Sequence, residues 1–345
     1  MVTLTPITAA TADDPYGYYA RLAVEHPFFY DDELHCWVAC SVRAVEAVLG
    51  NDAFAVRPAV EPVPSIMQRT PLGELFARMV RMTDGPPHVS RRQLAEALVN
   101  AMDVGMIAAA LPDLARDALE TLMFTFPSRA VATLLGIAAT RVQRIEEYAR
   151  ALARAIAPGA TADDVPRASS AVTALDGIFA ERFPDVPQRL GAIGLLFQTY
   201  DGTAGLIGNT LYQLAVAQPA ITRRIVSDAK TLTGFVGEVA RLDPPVHNTR
   251  RFAASDIGIE DALVREGESV LVVLAAANYD SEAKGRIFTF GAGAHACIAA
   301  RLAITIASVA VHALTETGID FAQIVRNGFY PASNVRVPRL TLADR

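Results

Sequence analysis

The chain has little of what builds small cross-linked or nucleic-acid-binding domains. It carries only three cysteines in 345 residues, Cys36, Cys40 and Cys297. An odd, sparse count excludes a disulfide framework and points to a reducing compartment. Cys36 and Cys40 lie beside His35 in a segment, 34–40, that reads as a β-strand. No second ligand pair follows, so no zinc site is expected there. Charged residues are 20% of the chain and the formal net charge is −6. With no long basic stripe, no nucleic-acid partner is expected. The N-terminus lacks a basic-then-apolar leader pattern, and no uninterrupted apolar run of membrane-spanning length is expected. These absences predict a cytoplasmic protein that does not engage a membrane. Neither an internal repeat nor a linker is evident, and 1–345 reads as one domain.

What the chain has is hydrophobic mass, 52% of its residues, enough for a large buried core. The patterning predicts a mainly α protein with a minor β part. Pro15 opens a first helix, as proline favours the first turn. Strands are expected near 28–30 and 36–40, and a helix over 42–49 ends at Gly50. The segment 61–69, with Pro62 and Pro64, reads as a loop. Amphipathic helices are expected over 87–99, 106–122, 128–135, 139–156 and 168–182. A long apolar helix is expected over 191–217, and another over 221–241 before Pro244-Pro245. Short β pieces follow at 257–259 and 269–274. A last long helix is expected over 298–317.

The most informative stretch is Phe290-Gly291-Ala292-Gly293-Ala294-His295-Ala296-Cys297-Ile298-Ala299. The glycines allow a sharp loop that lies close against a flat ligand. Good helix formers follow, so Cys297 sits near a helix N-terminus, where free N–H groups favour a thiolate. A thiolate in a dry pocket is a strong axial ligand for heme iron. A small buried hydrophobe behind a glycine turn is the competing reading of Cys297 alone.

This spacing resembles the heme-binding loop of the cytochrome P450 family, in its soluble bacterial type. The family pattern fixes Phe290, Gly291, Gly293, a basic residue at His295, the cysteine, and a small residue at Ala299, where Gly is commoner. Further segments carry the same resemblance. Glu238-Val239-Ala240-Arg241 resembles the family's ion-pair helix, which implies a structural pair locking the core beneath the heme. Arg251, beside Arg250 in Arg250-Arg251-Phe252, stands where the family places a propionate ligand. His88 and Arg92, in Asp84-Gly85-Pro86-Pro87-His88-Val89-Ser90-Arg91-Arg92, share a helix face and match the family's propionate-binding pair. With His295 they make four donors for two carboxylates, through charge-assisted bonds.

Two segments depart from the pattern. Phe197-Gln198-Thr199-Tyr200-Asp201-Gly202-Thr203 resembles the helix that crosses the heme. Gln198 and Thr199 replace the usual Ala-Gly, Asp201 keeps the acid, and Gly202 stands at the usual catalytic threonine. Glycine there costs about 1 kcal/mol relative to alanine, which favours a role at the site. A substrate hydroxyl or water, or Thr199 or Thr203 presented by a π-bulge, would take over from the missing hydroxyl. The stretch Ala276-Ala277-Asn278-Tyr279-Asp280-Ser281-Glu282 resembles the strand before the proximal meander, yet Phe290 follows almost at once. The meander is therefore much shorter than the family's.

The resemblance implies the P450 fold, heme b as cofactor, and a monooxygenase oxidising a small organic substrate with dioxygen. A ferredoxin and its reductase are the implied partners, with Lys284, Arg286 and Arg301 as basic residues facing an acidic protein. Cys297 is the implied iron ligand; Asp201, assisted by Thr203 or Thr199, is the implied proton relay. The implied pocket wall includes Ile66, Met67, Phe197, Gln198, Val246, His247, Asn248 and Phe329. Three rival readings are a peroxide-driven or non-monooxygenase heme enzyme, a catalytically weak heme or ligand-binding protein, and a heme-free helical protein.

Overall fold

The computed structural model describes residues 4–111, 118–142 and 144–343. Its helices are α1 (Tyr16–Glu25), α2 (Val42–Leu49), α3 (Pro71–Phe76), α4 (Gly85–Asn100), α5 (Ala118–Glu120), α6 (Phe126–Leu134) and α7 (Ala139–Val142). After them come α8 (Ile145–Ile156), α9 (Val165–Ala180), α10 (Val186–Val216), α11 (Pro219–Val226), α12 (Ala229–Leu242), α13 (Leu274–Tyr279) and α14 (Ala300–Glu316). The expected mainly α architecture is what forms. The apolar helix α10 runs through the largest core cluster, packed by α4, α6, α8, α9, α12 and α14.

The β part is small. β1 (Phe28–Asp31), β2 (Cys36–Ala39), β3 (Phe54–Ala55), β4 (Thr249–Ala253) and β7 (Ser269–Val272) form one sheet in the order β1-β2-β7-β4-β3. Only β2 and β7 pair in parallel. Two hairpins complete it, β5 (Ile257–Ile259) with β6 (Ala262–Val264), and β8 (Ile324–Phe329) with β9 (Pro338–Leu342). Alternation along β4 leaves Arg250 exposed and turns Arg251 inward, because successive strand residues face opposite sides.

Several boundaries differ from expectation for identifiable reasons. The predicted helix 221–241 is two helices, because Asp228 accepts from the Thr231 N–H and caps α12. Asp185 likewise caps α10 by accepting from Gln188, and the helix starts five residues earlier than the apolar pattern suggests. The predicted helix 106–122 is instead a 3₁₀ segment, Val104–Ala110, followed after the undescribed residues 112–117 by α5 and a π-helical turn, Thr121–Thr125. The predicted helix 139–156 appears as α7 and α8, with residue 143 outside the described residues. The alanine-rich run at 274–279 is helix α13, not a strand; alanine is the best helix former.

One segment, Gly293–Glu316, is long and apolar enough to cross a membrane, with mean hydropathy 1.9. Arg301 interrupts that segment, so it is not an uninterrupted apolar run. It contains α14, which packs against α10 and α12 in the main core.

A buried ion pair ties the chain's ends together. Arg336, fully buried, donates from Nε to Asp243 at 2.9 Å and from its terminal nitrogens to the carbonyls of Ala10, Ala12 and Asp13. Gln213 of α10 donates to the same carboxylate at 2.9 Å, and so does the hydroxyl of Tyr16. Every oxygen of Asp243 is thereby used, which is the condition for a buried charge to persist.

Candidate active site

The loop before α14 is built by two left-handed glycines. Gly291 has φ 72° and Gly293 φ 66°. A β-carbon on Gly293 would stand 2.2 Å from the carbonyl oxygen of Leu49, so the loop presses directly on the end of α2. The Cys297 N–H donates to the Phe290 carbonyl at 2.8 Å, closing the loop on itself. Gly291 also donates to Phe288, and Ala299 packs against the main core. Cys297 is exposed. Burial pushes its thiol pKa up, against the Ala299 N–H and the charge of Arg92, which both favour the thiolate.

Arg92 does not reach out as a free donor. One terminal nitrogen donates to the carbonyls of Ala294 and Ala296, at 2.9 and 2.8 Å, and Nε pairs with Glu96 at 2.7 Å. The expected ligand of a carboxylate therefore clamps the cysteine loop onto α4.

His88, His295 and Arg251 do converge. The rings of His88 and His295 stack with centroids 4.0 Å apart. His88 is 4% exposed and, among the described residues, its Nε2 has no hydrogen-bond partner. Burial lowers its pKa, and the neighbouring His295 and Arg92 lower it further. His295 Nε2 lies 3.1 Å from Asp84 Oδ1, while Asp84 Oδ2 accepts from the Val56 N–H. Burial raises the pKa of Asp84, but those two hydrogen bonds and the charges of His295 and Arg251 outweigh it, leaving it low. Arg251 is buried and, among the described residues, donates only to the neutral Arg250 carbonyl and Thr249 hydroxyl. Burial lowers its pKa to about 10, so it remains a cation at neutral pH. Asp84, present in the sequence motif, was not among the expected site residues.

The π-bulge that would present Thr199 or Thr203 does not form: α10 is a continuous α-helix from Val186 to Val216. The Thr199 hydroxyl donates back to the Leu195 carbonyl at 2.8 Å, and Gln198 donates to Gly194. Both donors are thus spent within the helix. Thr203 is buried. Asp201 has its pKa raised to about 6 by burial, with the charge of Arg81 opposing the rise. Arg81 was missed from sequence, since a lone arginine in a loop gives no signal. Beside Asp201, a β-carbon at Gly202 would meet only Val246 Cγ2, at 3.7 Å.

The expected pocket wall divides. Val246 faces Gly202. His247 points the other way, fully buried, with its Nδ1 2.6 Å from the Tyr19 hydroxyl. Asn248 is turned to the Ser333 carbonyl, at 2.8 Å. These two expectations are corrected by the pairing of this segment with residues 334–336, which fixes which side each residue takes. Phe329 is also displaced: its ring lies 3.8 Å from the Arg336 guanidinium carbon, beyond an irregularity in β8 containing Gly328 at φ 79°. Met67 and Phe197 are buried in the main core, whereas Ile66 is 39% exposed.

The donor set fits a heme-thiolate group. One sulfur at the mouth of a glycine loop suits the iron, and the unsatisfied His88 Nε2 and buried Arg251 suit porphyrin carboxylates. No family model matches the chain. Among curated proteins it is 28% identical to the cytochrome P450 monooxygenase PikC of Streptomyces venezuelae, covering 94% of this chain and 89% of that one. It is 26% identical to cytochrome P450 123 of Mycobacterium tuberculosis, covering 97% and 95%. Over nearly its whole length the chain is similar to cytochromes P450. Solved P450 structures share its fold: epothilone B-bound P450epoK at TM-score 0.80, 19% identity and 99% and 100% coverage, and CalO2 at 0.78, 21%, and 99% of each chain. It is a P450 enzyme, an oxidoreductase of the heme-thiolate class.

Compared with that family's pattern, this P450 is compact. The PikC alignment runs to 391 positions, more than the whole length of this chain, so the relative has segments with no counterpart here. Between Asp280 and Phe290 the chain makes a tight turn, with Lys284 at φ 49° and Gly285 at φ 81°. Asn278 seals the gap: its carbonyl accepts from the Phe288 N–H at 2.7 Å and its amide donates to the Thr289 hydroxyl at 2.9 Å. The Glu238–Arg241 pair, expected to lock the core, is at the surface, with side chains 56% and 21% exposed.

Proposed function

We propose that this P450 is a monooxygenase, a single domain holding heme b, that oxidises a small organic substrate, and that Cys297 ligates the iron. The carrying observation is the Cys297 loop: its sulfur is served by the Ala299 N–H and its backbone is clamped by Arg92. When bound, the heme supplies activation of dioxygen. His88, His295 and Arg251 would hold its carboxylates. Asp201, with its pKa raised to about 6, exchanges protons readily near neutral pH. Gly202 leaves room for a substrate group or water beside Val246. A biosynthetic pathway is the setting this reading favours, with a ferredoxin and its reductase as electron donors.

The test is the absorption spectrum of the reduced, carbon-monoxide-bound protein. A thiolate-type band that Cys297→Ser abolishes supports the reading; unchanged ligation in that variant overturns it. A second reading, peroxide-driven oxidation, is favoured by Gly202 and by the Thr199 hydroxyl already donating to Leu195. Turnover with peroxide alone, and none with ferredoxin, reductase and NAD(P)H, would select it. Product from neither source would select a heme or ligand-binding protein.

A further inference from the structure

The last turn of a helix leaves its carbonyls without partners inside the helix. At the end of α12 three of them, those of Ala240, Leu242 and the capping Asp243, receive side chains from elsewhere in the fold. The Leu242 carbonyl accepts from the Tyr279 hydroxyl of α13, and the Asp243 carbonyl from the Asn209 amide of α10, at 2.8 Å. The Ala240 carbonyl accepts from the Thr289 hydroxyl, at 2.5 Å. Thr289 is buried in the 3₁₀ turn Phe288–Phe290, directly before the cysteine loop. The direction of its bonding is fixed by what each group can do. The Phe288 N–H only donates, so it takes the Asn278 oxygen, at 2.7 Å, and leaves the Asn278 amide nitrogen to donate to the Thr289 oxygen, at 2.9 Å. The Ala240 carbonyl only accepts, so the Thr289 proton goes there. It points at the C-terminal end of α12, where partial negative charge favours a donor.

The turn that Thr289 anchors is also the seat of the cysteine. The Phe288 carbonyl accepts from the Gly291 N–H at 2.7 Å, and the Phe290 carbonyl from the Cys297 N–H at 2.8 Å. The residues on either side of Thr289 thus hold the loop, while Thr289 itself holds α12. Glu238 and Arg241 lie on the same helix but at its surface, and among the described residues the Arg241 side chain bonds only to Glu238. That pair makes no bond to the loop. Resting on the heme-thiolate reading above, we propose that Thr289 is a positioning residue. Its hydroxyl, oriented by Asn278, ties the cysteine loop to α12 and sets where the Cys297 sulfur stands for the iron, the task expected of the Glu238–Arg241 pair.

The test compares the heme-loaded protein with Thr289→Val, Thr289→Ser and Glu238→Ala, each checked for folding by circular dichroism. Residue-resolved hydrogen exchange reports the loop, and the reduced, carbon-monoxide-bound spectrum reports the sulfur. Valine keeps the shape of threonine but leaves the Ala240 carbonyl and the Asn278 amide unpaired, whereas serine keeps the hydroxyl. In Thr289→Val the Gly291 and Cys297 N–H groups should exchange about ten-fold faster or more, and the thiolate-type band should decay to the neutral-thiol form about ten-fold faster or more. Thr289→Ser and Glu238→Ala should both stay within about three-fold of wild type. A threonine that served only general stability would lower the melting temperature of Thr289→Val and leave loop exchange and band decay unchanged. That result overturns the proposal, and so does an equal effect of Glu238→Ala. If Thr289→Val does not fold, the wild-type protein decides. Its Phe288, Gly291 and Cys297 amides should open as one unit, with protection factors within about three-fold of one another; independent opening overturns the proposal. Absence of the thiolate-type band in the wild-type protein would instead overturn the reading on which it rests, while the exchange data still decide whether Thr289 holds the loop.

Discussion

Val246 Cγ2 stands 3.7 Å from the point where a β-carbon on Gly202 would lie, with no other contact there, whereas a β-carbon on Gly205 would come within 2.6 Å of the Arg336 carbonyl. The two glycines of α10 thus have opposite meanings. Gly205 is there for close packing against the C-terminal segment. Gly202 is not required by packing. Thermal unfolding is expected to show Gly202→Ala more stable by roughly 0.5–1 kcal/mol, and Gly205→Ala less stable. In turnover, Gly202→Thr is expected to raise product formed per NAD(P)H consumed.

Arg92 clamps the cysteine loop through two carbonyls. Arg92→Ala should lose that clamp together with the nearest positive charge favouring the thiolate. The expected result is weaker heme retention, measured by heme transfer, with secondary structure intact by circular dichroism. Arg92→Lys, which cannot span both carbonyls in the same planar geometry, should restore only part of it.

Asp201 gives a pH signature with a definite sign. Its folded pKa is raised to about 6 from 3.8, so between these values the folded protein holds a proton that the unfolded chain has released. Stability therefore falls as pH rises through this window, by at most about 1.4 kcal/mol per pH unit for one proton. Asp201→Asn should remove that component from urea-unfolding free energies measured between pH 4 and 6.5. The same variant should lower turnover with dioxygen more than turnover with peroxide.

The two Arg–carboxylate pairs should respond very differently. Removing one partner of the buried Arg336–Asp243 pair, as in Arg336→Met, should cost about 3–5 kcal/mol by leaving Asp243 uncompensated. Glu238→Ala, at an exposed i,i+3 pair, should cost less than about 1 kcal/mol. Parallel thermal melts compare them directly.

Much of the site was legible because its chemistry is local in sequence. The loop around Cys297 carries its own glycines and its own helix start. His88 lies on the α4 face expected of it, and alternation in β4 separates Arg251 from Arg250. What could not be read depends on partners distant in the chain. Whether His247 and Asn248 face inward is decided by residues 334–336, and Phe329 is turned by a local irregularity onto Arg336. Arg92's use of the loop carbonyls follows from how α4 meets an element far along the chain. The exposure of Glu238–Arg241 depends on what packs over α12, which a motif match does not register.

Asn278 carries a mechanical consequence. It sits in α13, which continues directly from the β7 strand, and it grips Phe288 and Thr289, just before the residue whose carbonyl receives the Cys297 N–H. Where a longer excursion of chain would act as a slack tether, a single amide side chain here is a short strut. A shift of the sheet would be transmitted to the sulfur over a few bonds rather than absorbed along the way.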